Sequence, residues 1–163
     1  MRLALFAEPK RELERTSEEC LFDRISGLYN HAGLTRRAQE LAALVTRHGL
    51  SLACAVFRPV AQMPNPLATD RLARAFRRVG RVSDALGRTG HAEFAVFAPA
   101  TNTWAAARLV RRMTDTVERA FGNLREDKKP VGVRAGYSTA QAAHQISPTA
   151  LLAQARSALE ATP

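Results

Sequence analysis

The residues best equipped for chemistry in this chain are its arginines. Only Lys10, Lys128 and Lys129 among its 24 basic residues are lysines. A guanidinium is a planar fork that matches phosphate oxygens and the acceptor edge of guanine. These forks are grouped. Arg71, Arg74, Arg77 and Arg78 share one stretch, Arg81 opens the motif Arg81-Val-Ser-Asp84, and Arg108, Arg111 and Arg112 come later. The net charge of +9 biases the partners toward anions: nucleotides, nucleic acid or acidic lipid. A proteome-wide preference for arginine gives the same count, so the charge sets a bias and not a partner. Other chemistries are poorly supplied. Cys20 and Cys54 are too few for a disulfide scaffold or a zinc site and read as small buried residues.

Positioning these groups requires elements, and the apolar spacing supplies them. Arg2 to Ala7 reads as a strand and Pro9 to Glu19 as a helical lead-in. After the turn-rich segment Asp23 to Asn30, a helix runs from about Thr35 to Arg47, with Ala38, Leu41, Ala42 and Val45 on one face and Gly49 beyond its end. Leu50 to Phe57 is a near-continuous apolar run, as in a strand covered on both faces. Pro59, Pro64 and Pro66 mark a loop. Thr69 or Asp70 then caps a helix carrying Leu72, Ala75, Phe76 and Val79. Ala85 to Arg88 and Glu93 to Phe97 form a hairpin about Thr89-Gly90-His91. A long helix from Thr101 or Asn102 to Phe121 is expected to bury Trp104, Ala107, Val110, Met113 and Val117. Val131 to Ser138 is a strand, and Ser147-Pro148 opens a last helix to Ala161. Alternating strands and helices predict an α/β fold, a central mixed β-sheet flanked by helices. The order is β-α-β-α-β-β-α-β-α, with no long linker or repeat. Residues 1–19 read as a lead-in and 20–163 as one domain.

Four stretches resemble the GGDEF family of diguanylate cyclases, in that family's order. They are Asp23-Arg-Ile-Ser-Gly-Leu-Tyr-Asn30, the hairpin Arg88-Thr-Gly-His-Ala-Glu-Phe94, the strand Val131-Gly-Val-Arg-Ala-Gly-Tyr-Ser-Thr139, and the closing helix from Ser147 through Leu159. Together they span about residues 20 to 162. The resemblance implies a nucleotide-cyclase-like fold and, in intact members, synthesis of cyclic di-GMP from two GTP molecules with divalent metal.

This sequence departs from the family's catalytic pattern. In the signature Gly90-His91-Ala92-Glu93-Phe94, an imidazole stands at the second glycine and an alanine at a metal-binding acid. A glycine there lets backbone approach phosphate closely. The strand end that should carry the other metal acid reads Ala55-Val-Phe-Arg-Pro59, and Thr162-Pro163 stands where a phosphate-binding lysine is expected. Glu93 keeps its position, and Asp70 matches a guanine-binding aspartate. The resemblance therefore implies no catalytic residues, no metal and no cofactor. His91 as a new metal ligand or base is the rival to a solvent-facing turn histidine.

The family's product-binding inhibitory site is marked by Arg-x-x-Asp five residues ahead of the signature, as Arg81 and Asp84 are here. The fork meets guanine O6 and N7, and the carboxylate accepts from the opposite edge. Arg112, with Arg111 beside it, lies where a further arginine joins them. Against this, a surface Arg–Asp pair often contributes nothing measurable.

The expected protein is a catalytically inactive cyclic di-GMP receptor in bacterial signalling, with biofilm or exopolysaccharide regulation as an output by analogy. It is expected to be cytoplasmic, with a protein partner or a homodimer, no nucleic-acid partner and no direct membrane insertion, since no apolar run approaches ~20 residues. The rival readings are a ligand-free interaction or dimerisation module and, behind it, a cyclase of altered chemistry using Glu93 and His91.

Overall fold

The computed structural model describes residues 21–60, 66–122, 132–141 and 145–161. The expected strand Arg2 to Ala7, the helix Pro9 to Glu19, Cys20, Pro64, Val131 and the end Thr162-Pro163 lie outside them. The elements are α1 (His31–Arg47), β1 (Leu52–Pro59), α2 (Pro66–Val79), β2 (Ala85–Arg88), β3 (Phe94–Pro99), α3 (Thr103–Gly122), β4 (Val133–Ala140) and α4 (Pro148–Ala161). The sheet order is β2-β3-β1-β4.

Helix-strand alternation suggested a mixed sheet, but all three strand pairings are antiparallel. Each crossover explains why. β1 and β2 run the same way, yet β3 lies between them; β3 and β4 run the same way, with β1 between them. Parallel strands joined by a helix are thus never neighbours, the split βαβ arrangement. A single parallel bridge, Tyr29 to Gly87, adds the opening segment to the β2 edge.

The sheet is covered on both faces, which is why β1 reads as a continuous apolar run. Ala53, Ala55 and Phe57 point into one core with Phe76, Phe94, Met113 and Val117, under α2 and α3. Leu52, Cys54 and Val56 point into the other with Leu34, Leu41, Val45, Phe97 and Leu159, under α1 and α4. This is the period-two alternation of a strand, used twice. Burial pushes the Cys54 thiol up to about 12.

Several boundaries move for local reasons. α1 begins at His31, one turn before Thr35, because the Asn30 side chain accepts the Gly33 N–H at 2.9 Å and caps it. α2 begins at Pro66, because proline suits the first helical turn; Thr69 is buried within the helix and does not cap it. On α3 the buried stripe is Ala106, Leu109, Met113, Val117 and Phe121. Trp104, expected in that core, points away from the sheet and is 68% exposed. Gly136 of β4 lies directly under α4, where a Cβ would run into the Leu159 amide nitrogen and the Ala155 carbonyl oxygen.

Candidate functional site

The hairpin β2–β3 fixes the signature residues. Arg88 pairs with Phe94 at its turn end, and the Thr89 N–H donates to the Glu93 carbonyl at 2.9 Å. The Thr89 hydroxyl donates to Glu93 Oε1 at 2.7 Å. Arg88 reaches back to the His91 carbonyl at 2.6 Å and across to Asp23 at 3.2 Å. The opening segment is thereby tied to the turn. Asp23 also accepts the Ser26 N–H at 2.7 Å, and Gly27 turns there with φ +62°. His91 is exposed.

Glu93 is the carboxylate at this turn, and both its oxygens are engaged. Arg58, at the end of β1, donates to Oε2 at 2.9 Å. Arg156, from α4, donates to Oε1 through Nε at 3.0 Å and Nη2 at 2.7 Å. Arg58 continues to Glu160 at 2.6 Å. Burial raises the Glu93 carboxyl, but hydrogen bonds from Arg58, Arg156 and Thr89 outweigh it and hold the group below the ordinary carboxylate range. The donor set does not fit a divalent cation: a metal needs several oxygen donors, and here a guanidinium occupies the strand end. Ala92 offers no side-chain donor. Asp70 is on α2, paired with Arg74 at 2.8 Å. Among the described residues no cluster of three or more His, Cys, Asp or Glu side chains is placed to hold a metal.

The second group of candidates assembles where α2 ends. The Arg81 N–H donates to Asp84 Oδ2 at 2.8 Å, and the Asp84 N–H donates to the Arg81 carbonyl at 3.0 Å. This closes a tight turn just before β2. Asp84 Oδ1 is buried and has no hydrogen-bond partner. Arg112 crosses from α3 and donates to the Val79 carbonyl at 2.9 Å, the last residue of α2. Burial raises the Asp84 carboxyl, against the Arg81 N–H, the charges of Arg81 and Arg112 and the Ser83 side chain. Arg81 and Arg111 are exposed. The structure therefore brings Arg81, Asp84 and Arg112 together, with Arg111 beside Arg112 on α3.

The profile described as "Diguanylate cyclase, GGDEF domain" matches residues 68–162, more than half of the chain. This chain belongs to the GGDEF family. The matched residues include the hairpin β2–β3 and α4. The coiled-coil and GGDEF domain structure of DgcB from Caulobacter crescentus, in complex with c-di-GMP, superposes with a TM-score of 0.80 at 18% identity, covering 94% of this chain and 85% of that one. Diguanylate cyclase SiaD from Pseudomonas aeruginosa, in complex with its activator SiaC, gives 0.72 at 23% identity, covering 93% and 61%. A sensory box/GGDEF family protein from Caulobacter crescentus CB15 gives 0.69 at 25%, covering 86% and 96%. A search of curated proteins finds no match.

The sequence missed two partners of the signature, Arg58 and Arg156. Arg58 was visible only as an absent acid, and Arg156 is one of many arginines on a helix face. Their distance from Glu93 in sequence, 35 and 63 residues, hides the contact. A groove of about 540 Å³ between α2 and α3 also gathers Arg71, Arg74, Arg78 and Arg119. No described helix is long and apolar enough to cross a membrane.

Proposed function

We propose that this GGDEF domain is a catalytically inactive receptor for cyclic di-GMP, held through Arg81, Asp84 and Arg112, with Arg111 alongside. The observation that carries this reading is the buried Asp84 Oδ1, which takes no hydrogen bond and lies in the field of the Arg81 and Arg112 charges. A buried acceptor without a donor costs about 1–3 kcal/mol. A guanine amino or ring N–H supplies that donor, and the two forks supply donors for guanine O6, N7 and phosphate. The DgcB structure in complex with c-di-GMP supports the choice of ligand.

Loss of catalysis is supported at the other end of the hairpin. Arg58 and Arg156 neutralise Glu93 as a cation would, so the turn is stabilised without metal. His91 stands at the turn where a glycine would let the backbone approach a triphosphate closely. The output of such a receptor is a protein contact, and the complex of SiaD with its activator SiaC supports a protein partner.

Calorimetry with cyclic di-GMP, on wild type and an Arg81→Ala, Asp84→Ala variant, tests the site. Saturable heat lost in the variant is the expected result; equal binding by both rejects it. Incubation with GTP and Mg²⁺ or Mn²⁺ tests the inactivity, and any dinucleotide product rejects that.

A further inference from the structure

The geometry points to Trp104, backed by Arg108, as a stacking platform for a purine base, one that extends the Arg81–Asp84 site along α3. It rests on the receptor reading above and adds a contact to it.

A large indole at the first turn of a helix is normally buried. This one is 68% exposed, and the Arg108 guanidinium lies 4.7 Å from its ring centroid. Cation–π contact of this kind holds the ring orientation while leaving the other face open to solvent. Nothing in the core needs the residue, since Ala106, Leu109 and Met113 form the buried stripe.

Its position is set by the sheet. Ala85 pairs with Phe97, so the turn carrying Arg81 and Asp84 and the start of α3 leave the sheet from the same end. Trp104, Arg108 and Arg112 follow one another four residues apart, forming one ridge on α3. The ridge ends where Arg112 meets the Val79 carbonyl, beside the Arg81 turn. Eight residues of helix put Trp104 about 12 Å along the axis from Arg112. A ligand with one guanine at Asp84 and a second base beyond its phosphates can follow this ridge: Arg112 and Arg108 line the path of the phosphates and Trp104 receives the second base. Stacking is tolerant of base identity, because every base has a π face. The ligand class is therefore a purine dinucleotide, in preference to a mononucleotide, which lacks the second base.

Trp104 is the chain's single tryptophan, so its emission reports the contact directly. The full chain is titrated with cyclic di-GMP and with GMP, by calorimetry and by fluorescence, as wild type, Trp104→Ala, Trp104→Phe and Arg108→Ala. The expected results are emission quenched in step with the heat, cyclic di-GMP affinity reduced about tenfold or more by Trp104→Ala, partial recovery in Trp104→Phe, and GMP affinity unchanged by either. Circular dichroism and thermal unfolding confirm that the variants fold, as an exposed residue should allow. Saturable heat with unchanged emission, or with equal affinity in Trp104→Ala, overturns the platform and leaves the Arg81–Asp84 site standing. No heat at tens of micromolar ligand overturns both. Quenching that survives Arg81→Ala, Asp84→Ala shows a platform independent of that site and overturns the extension.

Discussion

Glu93→Gln should destabilise this protein at neutral pH, and the size and pH dependence of the loss follow from its partners. The wild-type carboxylate is 12% exposed and takes three hydrogen bonds from two arginines and one from Thr89. The amide keeps the shape but removes the charge, leaving Arg58 and Arg156 without their common counter-ion. Breaking a fully buried pair costs about 3–5 kcal/mol. Both arginines are more than a third exposed, at 38% and 37%, and Arg58 retains Glu160. Water therefore recovers part of the loss, and about 2 kcal/mol is expected. For a chain of this length that lowers Tm by about 4–8 °C. The pH dependence has a definite sign. The Glu93 carboxyl is held below its ordinary value of 4.5 in the folded state, so its stabilisation is present above pH 4.5 and is lost as pH falls through the lower folded value. Urea unfolding of both proteins at pH 7 and at successively lower pH measures this. The gap should be widest at pH 7 and close in acid. A variant as stable as wild type at pH 7, or a gap that does not change with pH, would refute the reasoning about this cluster.

Other expectations follow from single contacts. Asp84→Asn should behave in the opposite way: burial raises this carboxyl, so at pH 7 its charge opposes folding, and the neutral variant should unfold no more easily in urea while losing cyclic di-GMP binding in calorimetry. The same raised carboxyl makes ligand binding weaken on acidification at a higher pH than an ordinary aspartate would. Gly136→Ala forces a methyl into the α4 backbone, and a loss of about 3 kcal/mol or more, or failure to accumulate as folded protein, should appear in thermal unfolding. Asn30→Ala removes the α1 cap and should cost about 1 kcal/mol by urea denaturation. In a Cys20→Ser background, Cys54 should resist a thiol reagent until denaturant is added, because the thiol is buried and its pKa is about 12.

The sequence by itself determined the elements and most of their faces. Leu52 to Phe57 announces a strand covered on both sides, because only double burial makes a continuous apolar run adaptive. The hairpin at Thr89 to Glu93 and the Arg81–Asp84 turn are local structures, closed by contacts within five residues, so their spacing alone reveals them. Trp104 misled because helical periodicity tolerates more than one stripe. Positions 104, 107 and 110 fit a face as well as 106, 109 and 113 do, and only packing against β1 and β4 selects between them. Strand direction was likewise open, since a crossover helix fixes that two strands are parallel but not that they are adjacent. What joined Arg58, Glu93 and Arg156 was tertiary structure alone. The three lie on β1, in the turn just before β3 and on α4, and a guanidinium finds its carboxylate across such distances in sequence only when the sheet has set the register. That no acid stands at Ala92 or between Ala55 and Pro59 was legible in the chain. That two arginines close around the acid that remains, and that Asp84 keeps one oxygen buried without a partner, was decided by the fold.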